Sequence, residues 1–325
     1  MMRMRNIRLT VWISTLVLLM MPSAMSSQAK KTWVVPRMPD GHPDLQGIWN
    51  TSTLTPLERP PEFADKPLLT AQEAKDYEAQ LVRENNRDRR DGTPEADVRR
   101  AYNEFWYDRG SHLAERRTSL IIDPPDGKIP SLTPEAQKRQ AALTEYQRLH
   151  PGDGPEDFSL ANRCILWATA GPPMLPGAYN NNYQIVQGPG YVSIVVEMIH
   201  DARVIPTDGP PHLPSNVRQW LGDSRGHWEG DTLVVETTNF STKTNFRGAS
   251  ENMRLVERFT RVDANTINYE FTVTDPRSFT KPWSARIPMN KTPDPVLEYA
   301  CHEGNYAMEG MLRGLRAEEA DQAKK

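Results

Sequence analysis

The residues in this chain best suited to chemistry are its histidines. There are seven, and three of them stand at ends of predicted strands beside polar partners. His200 is followed by Asp201 and then Arg203. His227 follows Asp223, Ser224, Arg225 and Gly226 and precedes Trp228. His302 stands between Cys301 and Glu303. A histidine with a carboxylate neighbour can act as a general acid or base near neutral pH. The expected catalytic set is therefore His302 with Glu303, His227, and His200 with Asp201. Each also has an ordinary reading as a surface or hydrogen-bonded structural histidine. A divalent metal is the rival chemistry: His200, His227 and His302, with Asp201 or Glu303, offer nitrogen and oxygen ligands for zinc or iron. No His-x-His, His-Glu-x-x-His or paired-cysteine motif supports it. The expectation is a site with no cofactor.

Other side chains could supply binding groups. Arg258, Arg261, Arg277 and Arg286 lie on or near predicted strands. One pointing into a barrel could clamp a carboxylate through its bidentate fork. Trp167, Trp228, Trp283, Tyr183 and Tyr269 read as core, and Asn180-Asn181-Asn182 as a turn. There is no Gly-x-Ser-x-Gly elbow, phosphate-binding loop, dinucleotide fingerprint or haem-attachment motif. Serine hydrolases of that type and nucleotide enzymes are thereby disfavoured.

These groups need elements to position them. Thr70 and Glu73 form a capping box ahead of Ala74, Tyr77 and Leu81 at helical spacing, which predicts a helix near 70–87. Thr133-Pro134-Glu135 opens a second near 133–149. Ser119 to Ile122 reads as a strand, Asp123-Pro124-Pro125-Asp126-Gly127 as a tight turn, and Lys128-Ile129 as a returning strand. From Tyr183 onward the pattern changes. Strands are expected at 183–187, 191–200, 227–228, 232–240, 255–262, 266–274, 283–287 and 296–301, separated by short turns such as Gly188-Pro189-Gly190. About seven closely spaced strands imply an antiparallel meander that closes as a barrel or folds as a sandwich. The segment 310–325 reads as a charged tail.

Arg3, Arg5 and Arg8 followed by an apolar run from Leu9 to Met21 and the small residues Ser23 to Ala29 read as a cleavable secretory signal over 1–29. The expected mature domain begins at 30 and works in the periplasm or outside the cell. The net charge is −3, and it becomes more negative once the three signal arginines leave. Nothing in that balance calls for nucleic acid, which would need a basic face, or for a membrane after signal cleavage. The expected partner is a small-molecule ligand or substrate. In an oxidising compartment the two cysteines, Cys164 and Cys301, are expected to pair. A loop of about 137 residues closed in this way stabilises by about 4–5 kcal/mol on chain-entropy grounds.

Four strings resemble a family of exported bacterial proteins of unknown function: Pro43 to Trp49 (PDLQGIW), Asp123 to Pro130 (DPPDGKIP), Gly226 to Val235 (GHWEGDTLVV) and Tyr299 to Tyr306 (YACHEGNY). The resemblance covers most of the mature chain and implies no activity. Separately, Gly47-Ile48-Trp49 resembles the Gly-x-Trp that opens the first strand of lipocalin-like barrels. The expected fold is therefore mainly β, a lipocalin-like antiparallel barrel with helical insertions in its N-terminal half. Two functions follow: an exported lyase, isomerase or hydrolase using His/carboxylate chemistry in a barrel pocket, or a carrier of an apolar or aromatic molecule in the barrel interior. His302 and Glu303 are favoured as the site. If Cys301 is bridged within a strand, alternation sends one of the two into the barrel.

Overall fold

The computed structural model describes residues 33–98, 100, 103–167, 169–244 and 246–324. The expected signal over 1–29 lies outside them. From Val34 on, the described residues form one compact unit.

The chain order is β1 (Gly47–Asn50), α1 (Ala71–Asn85), α2 (Pro94–Val98), β2 (Ile121–Asp123), α3 (Pro134–Leu149), β3 (Asn182–Gly188), β4 (Tyr191–Val196), β5 (Ala202–Pro206), β6 (Asp223–Glu229), β7 (Thr232–Thr238), β8 (Arg254–Arg261), β9 (Thr266–Thr274), β10 (Trp283–Lys291) and α4 (Ala307–Gln322). All strand pairs are antiparallel, in the order β5-β4-β3-β1-β10-β9-β8-β7-β6, with β2 added beside β10. Apart from β2 and the closing β1–β10 pair, neighbours on the ring are neighbours along the chain. β1 bridges its two ends by pairing with both β3 and β10. The result is a nearly closed up-and-down barrel, compatible with a lipocalin-like architecture. The remaining seam lies between β5 and β6, which share no ladder. There Gly226 allows close approach: a Cβ at that position would stand 3.0 Å from Ile205 Cγ2 and 3.2 Å from Thr207 Cγ2.

Alternation places the core. Leu255, Glu257, Phe259 and Arg261 of β8 face inward, as do Ile267, Tyr269, Phe271 and Val273 of β9 and Trp283, Ala285, Ile287 and Met289 of β10. Trp49, Trp283, Tyr269 and Phe259 are 0% exposed, so no water-sized void touches them. The interior is filled by the chain's own aromatic side chains, each contributing about 1.5–3 kcal/mol of burial. An empty interior carrier cavity, expected from the lipocalin resemblance, is not found around these residues.

The barrel's lower end carries the β3–β4, β6–β7 and β8–β9 turns. Arg261 closes it by donating from Nη1 to Asp44 O (2.7 Å) and from Nη2 to Ala264 O (3.0 Å), with its guanidinium 5.5 Å from the Trp49 ring centre. The other three arginines singled out in the sequence are tied to carboxylates: Arg258 to Glu229, Arg277 to Glu135 and Arg286 to Glu270. Of the four, only Arg261 points into the barrel, where backbone carbonyls hold it.

The upper end carries the insertions. Thr70 caps α1 by accepting from Glu73 N (3.3 Å), and Glu73 accepts in return from Thr70 N (2.9 Å). Thr133 caps α3 and donates its hydroxyl to Arg277 O (2.7 Å), which fastens that helix to the β9–β10 loop. Cys164 and Cys301 form a disulfide. The expected charged tail is largely helical as α4, and Arg316 ties it to the carbonyls of Gly152 (2.6 Å) and Asp153 (2.8 Å). No helix among the described residues is long and apolar enough to cross a membrane.

Three expected strands differ. The 191–200 strand stops at Val196, because Ile199 and His200 take left-handed backbone angles (φ 62° and 47°) that turn the chain into β5. Lys128-Ile129 makes no strand. The 296–301 strand does not form either. β10, the strand that precedes it, is already flanked by β9 on one side and by β1 and β2 on the other, so β10 offers that segment no free edge.

Candidate functional site

Glu257 is an acidic residue in the inward register of β8. It meets Arg203, the inward residue of β5, in a fully buried pair with Nη1 to Oε1 at 3.1 Å. Burial opposes the charge of Arg203, yet the Glu257 carboxylate beside it holds the guanidinium above its ordinary pKa. The Tyr269 hydroxyl donates to Glu257 Oε1 (2.8 Å) and accepts from Met174 N (2.9 Å). Burial, reinforced by the Glu257 charge, pushes that phenol well above its usual range. Arg203 also donates to Ser224 Oγ (3.3 Å) across the seam, and Ser224 bonds Thr237 Oγ1 (2.9 Å). A buried charge pair is tolerated when its remaining donors and acceptors are satisfied. Here only Arg203 Nε lacks a partner. The set is sealed and paired.

Above it, residues 169–178 close the upper mouth. Two core tyrosines hold this loop: Tyr269 accepts from Met174 N, and Tyr183 donates to Thr169 O (3.0 Å). Between the loop, the 53–57 segment and the end of α1 lies a cleft of about 360 Å³. Its apolar wall includes Leu54, Leu57, Leu120 and Leu175, and its polar lining includes Asn85, Thr169, Arg109 and Arg247. No aspartate or glutamate lines it. A second hollow of about 300 Å³ shares Leu54, Asn85 and Arg109 and extends along residues 104–111. The Arg109 guanidinium lies 3.7 Å from the Tyr107 ring centre, a cation–π contact that fixes its plane. Among the described residues the carboxylate it pairs with is Glu104, at 3.5 Å. Among the described residues, no hydrogen bond or ion pair engages the side chains of Arg247, Asn85 or Thr169.

The sequence-predicted residues fall elsewhere. His227 is exposed on the outer wall at the lower end and bonds Glu229 Oε1 (3.1 Å). His302 and Glu303 sit in an exposed turn outside the barrel, so neither enters the interior, because the strand that would have aimed one inward is absent. His200 is at the upper end, its Nδ1 3.2 Å from Tyr299 O, which brings it near the Cys301 segment. Asp201 beside it is half-buried. Burial raises its carboxyl pKa, partly opposed by His200, and its Oδ2 is buried without a hydrogen-bond partner. His200 and Asp201 thus share a neighbourhood with the backbone leading to His302, while His227 stands apart. Among the described residues, no group of three His, Cys, Asp or Glu is placed to hold a metal.

The chain matches no protein-family model, no curated protein and no solved structure.

One further histidine escaped the sequence reading. His212 Nδ1 lies 2.9 Å from Asp223 Oδ2 and its Nε2 3.4 Å from Glu236 Oε1. Burial pushes the Asp223 carboxyl up, but the Leu213 N–H, His212 and Arg225 more than offset this and hold it below the usual range. The partners of His212 are 11 and 24 positions away, so no local motif marks it. Glu257 did have a signal. An acidic residue in the apolar register of Leu255, Phe259, Tyr269 and Phe271 must be buried, and a buried carboxylate needs a partner.

Proposed function

We propose that this protein binds a small molecule in the cleft at the upper mouth of its barrel, and that the barrel itself is a filled scaffold. One contrast carries the reading. Inside the barrel Arg203 and Glu257 are paired with each other and Arg261 is bonded to backbone carbonyls, whereas Arg247, Asn85 and Thr169 face the cleft with side chains that nothing among the described residues engages. Pockets of 300–1,000 Å³ with an apolar lining and a few convergent polar groups are the usual form of small-molecule sites. Titration with 1-anilinonaphthalene-8-sulfonate tests it. One equivalent should bind, and Ala178→Trp, which fills the cleft from its lining, should abolish binding without changing the far-ultraviolet circular dichroism. Undiminished binding in that folded variant would contradict the reading.

A second reading, acid–base catalysis, is supported at His200 and Asp201 by the raised carboxyl pKa, the unpartnered Oδ2 and the left-handed backbone at 199–200. Strained backbone of this kind clusters at functional sites. It supports Asp201 as the acid or base, with His200 beside it. If it holds, the protein hydrolyses p-nitrophenyl acetate with a pH-dependent rate that Asp201→Asn removes. A rate unchanged by Asp201→Asn and by His200→Gln counts against it.

A further inference from the structure

The geometry points to an anionic amphiphile as the occupant of the mouth cleft: one carboxylate-type head held by Arg247 and Arg109, with an aliphatic body against Leu54, Leu57, Leu120 and Leu175. This rests on the binding role proposed above and adds the chemical class.

Charge makes the first argument. Two guanidinium groups line the cleft and no carboxylate does. The acidic residues of the adjoining hollow are already engaged. Glu104 accepts from Arg87 N (2.9 Å) and faces Arg109, and Asp108 accepts from Asn50 Nδ2 (2.9 Å). Elsewhere on this fold, arginines with nearby carboxylates pair with them, as Arg258, Arg277 and Arg286 do. Arg247 has no such neighbour, so its charge is available to a ligand. Its side chain is exposed, which keeps its charge solvated until a ligand arrives.

Geometry makes the second. Stacking on Tyr107 orients the Arg109 plane, and a fixed fork suits the two oxygens of a carboxylate. Thr169 and Asn85 add uncharged hydrogen-bonding groups at the same wall. The aliphatic lining excludes a small inorganic anion as a well-matched occupant, because leucine surface gains nothing from it. It gains from methylene groups at about 0.8 kcal/mol per buried CH₂.

Calorimetric titration of the full chain with decanoate, decanol and decylamine tests the assignment. Decanoate should bind about tenfold or more tighter than decanol, in line with a charge-assisted hydrogen bond, and decylamine weakest. Arg247→Gln should lower decanoate affinity by about tenfold and leave decanol unchanged, while Arg247→Lys keeps part of it. Equal affinity for decanoate and decanol, or decanoate affinity untouched by Arg247→Gln, would overturn the head-group assignment while leaving the cleft as a binding site. Failure of all three to bind, or binding that survives Ala178→Trp, would remove the cleft itself.

Discussion

The barrel interior and its upper mouth use the same residue types to opposite ends. Inside, Arg203 and Glu257 are buried, bonded to each other and cross-linked to Tyr269 and Ser224. At the mouth, Arg247 has no bonded partner among the described residues, and Arg109 is oriented by a ring and held to Glu104 only by a long 3.5 Å contact. The difference follows from solvent. A charge taken out of water must find its partner within the fold, whereas one at a wet rim can wait for a ligand. The Arg203–Glu257 pair is thus structural below residues 169–178, while the charge of Arg247 above them is open to a ligand.

The largest test of that contrast is to break the buried pair. Arg203→Met or Glu257→Gln alone should cost about 3–5 kcal/mol in urea unfolding, and the double replacement Arg203→Met with Glu257→Leu should recover much of it. Decanoate affinity of the folded variants should hardly change. Single variants as stable as the parent would show that the pair is not isolated from water. Next comes the disulfide. Cys164→Ser with Cys301→Ser should lower stability by about 2–4 kcal/mol and leave cleft affinity near the parent value, since neither bridged residue lines the cleft.

Tyr269→Phe sharpens the comparison, because this hydroxyl joins the two regions. Its loss removes a hydrogen bond to a charged group, worth about 1.5–3 kcal/mol, and leaves Met174 N–H without its acceptor. Faster hydrogen exchange at Met174 and a several-fold weaker cleft should follow. Unaltered exchange there would separate the loop from the interior network.

The smallest effect concerns pH on the outer wall. The Asp223 carboxyl is held below its unfolded value, about 3.9. Its stabilisation is therefore complete above that value and lost as pH falls through the folded one. Asp223→Asn should cost about 1 kcal/mol at neutral pH and flatten the fall in Tm as pH drops below the unfolded value of about 3.9. An acid limb as steep as the parent's would place the titration in another group.

How much of this was legible beforehand depends on the range of the interactions. The capping box at Thr70 and Glu73, the Pro134 start of α3 and the alternation of β8 and β9 are local, and α1, α3 and those strands lie where the sequence puts them. Cys164 with Cys301 needed only the count of two cysteines and an assumed oxidising compartment. β5 escaped notice because Ala202-Arg203-Val204-Ile205 carries a charge in its inward register, and that charge is satisfied from β8, 54 positions away. The cleft was invisible for the same reason. Arg109, Arg247 and Thr169 come from three segments that only the closed ring brings together. The histidines stood out by type and neighbours, but type does not reveal that 296–301 has no ladder to join.

Hydrogen–deuterium exchange of the full chain with and without saturating decanoate measures directly where a ligand sits. Protection should appear in peptides covering 53–57 and 169–178, with the β5, β8 and β9 amides unchanged. Protection confined to 197–201 and 297–303, or to the barrel strands, would contradict it.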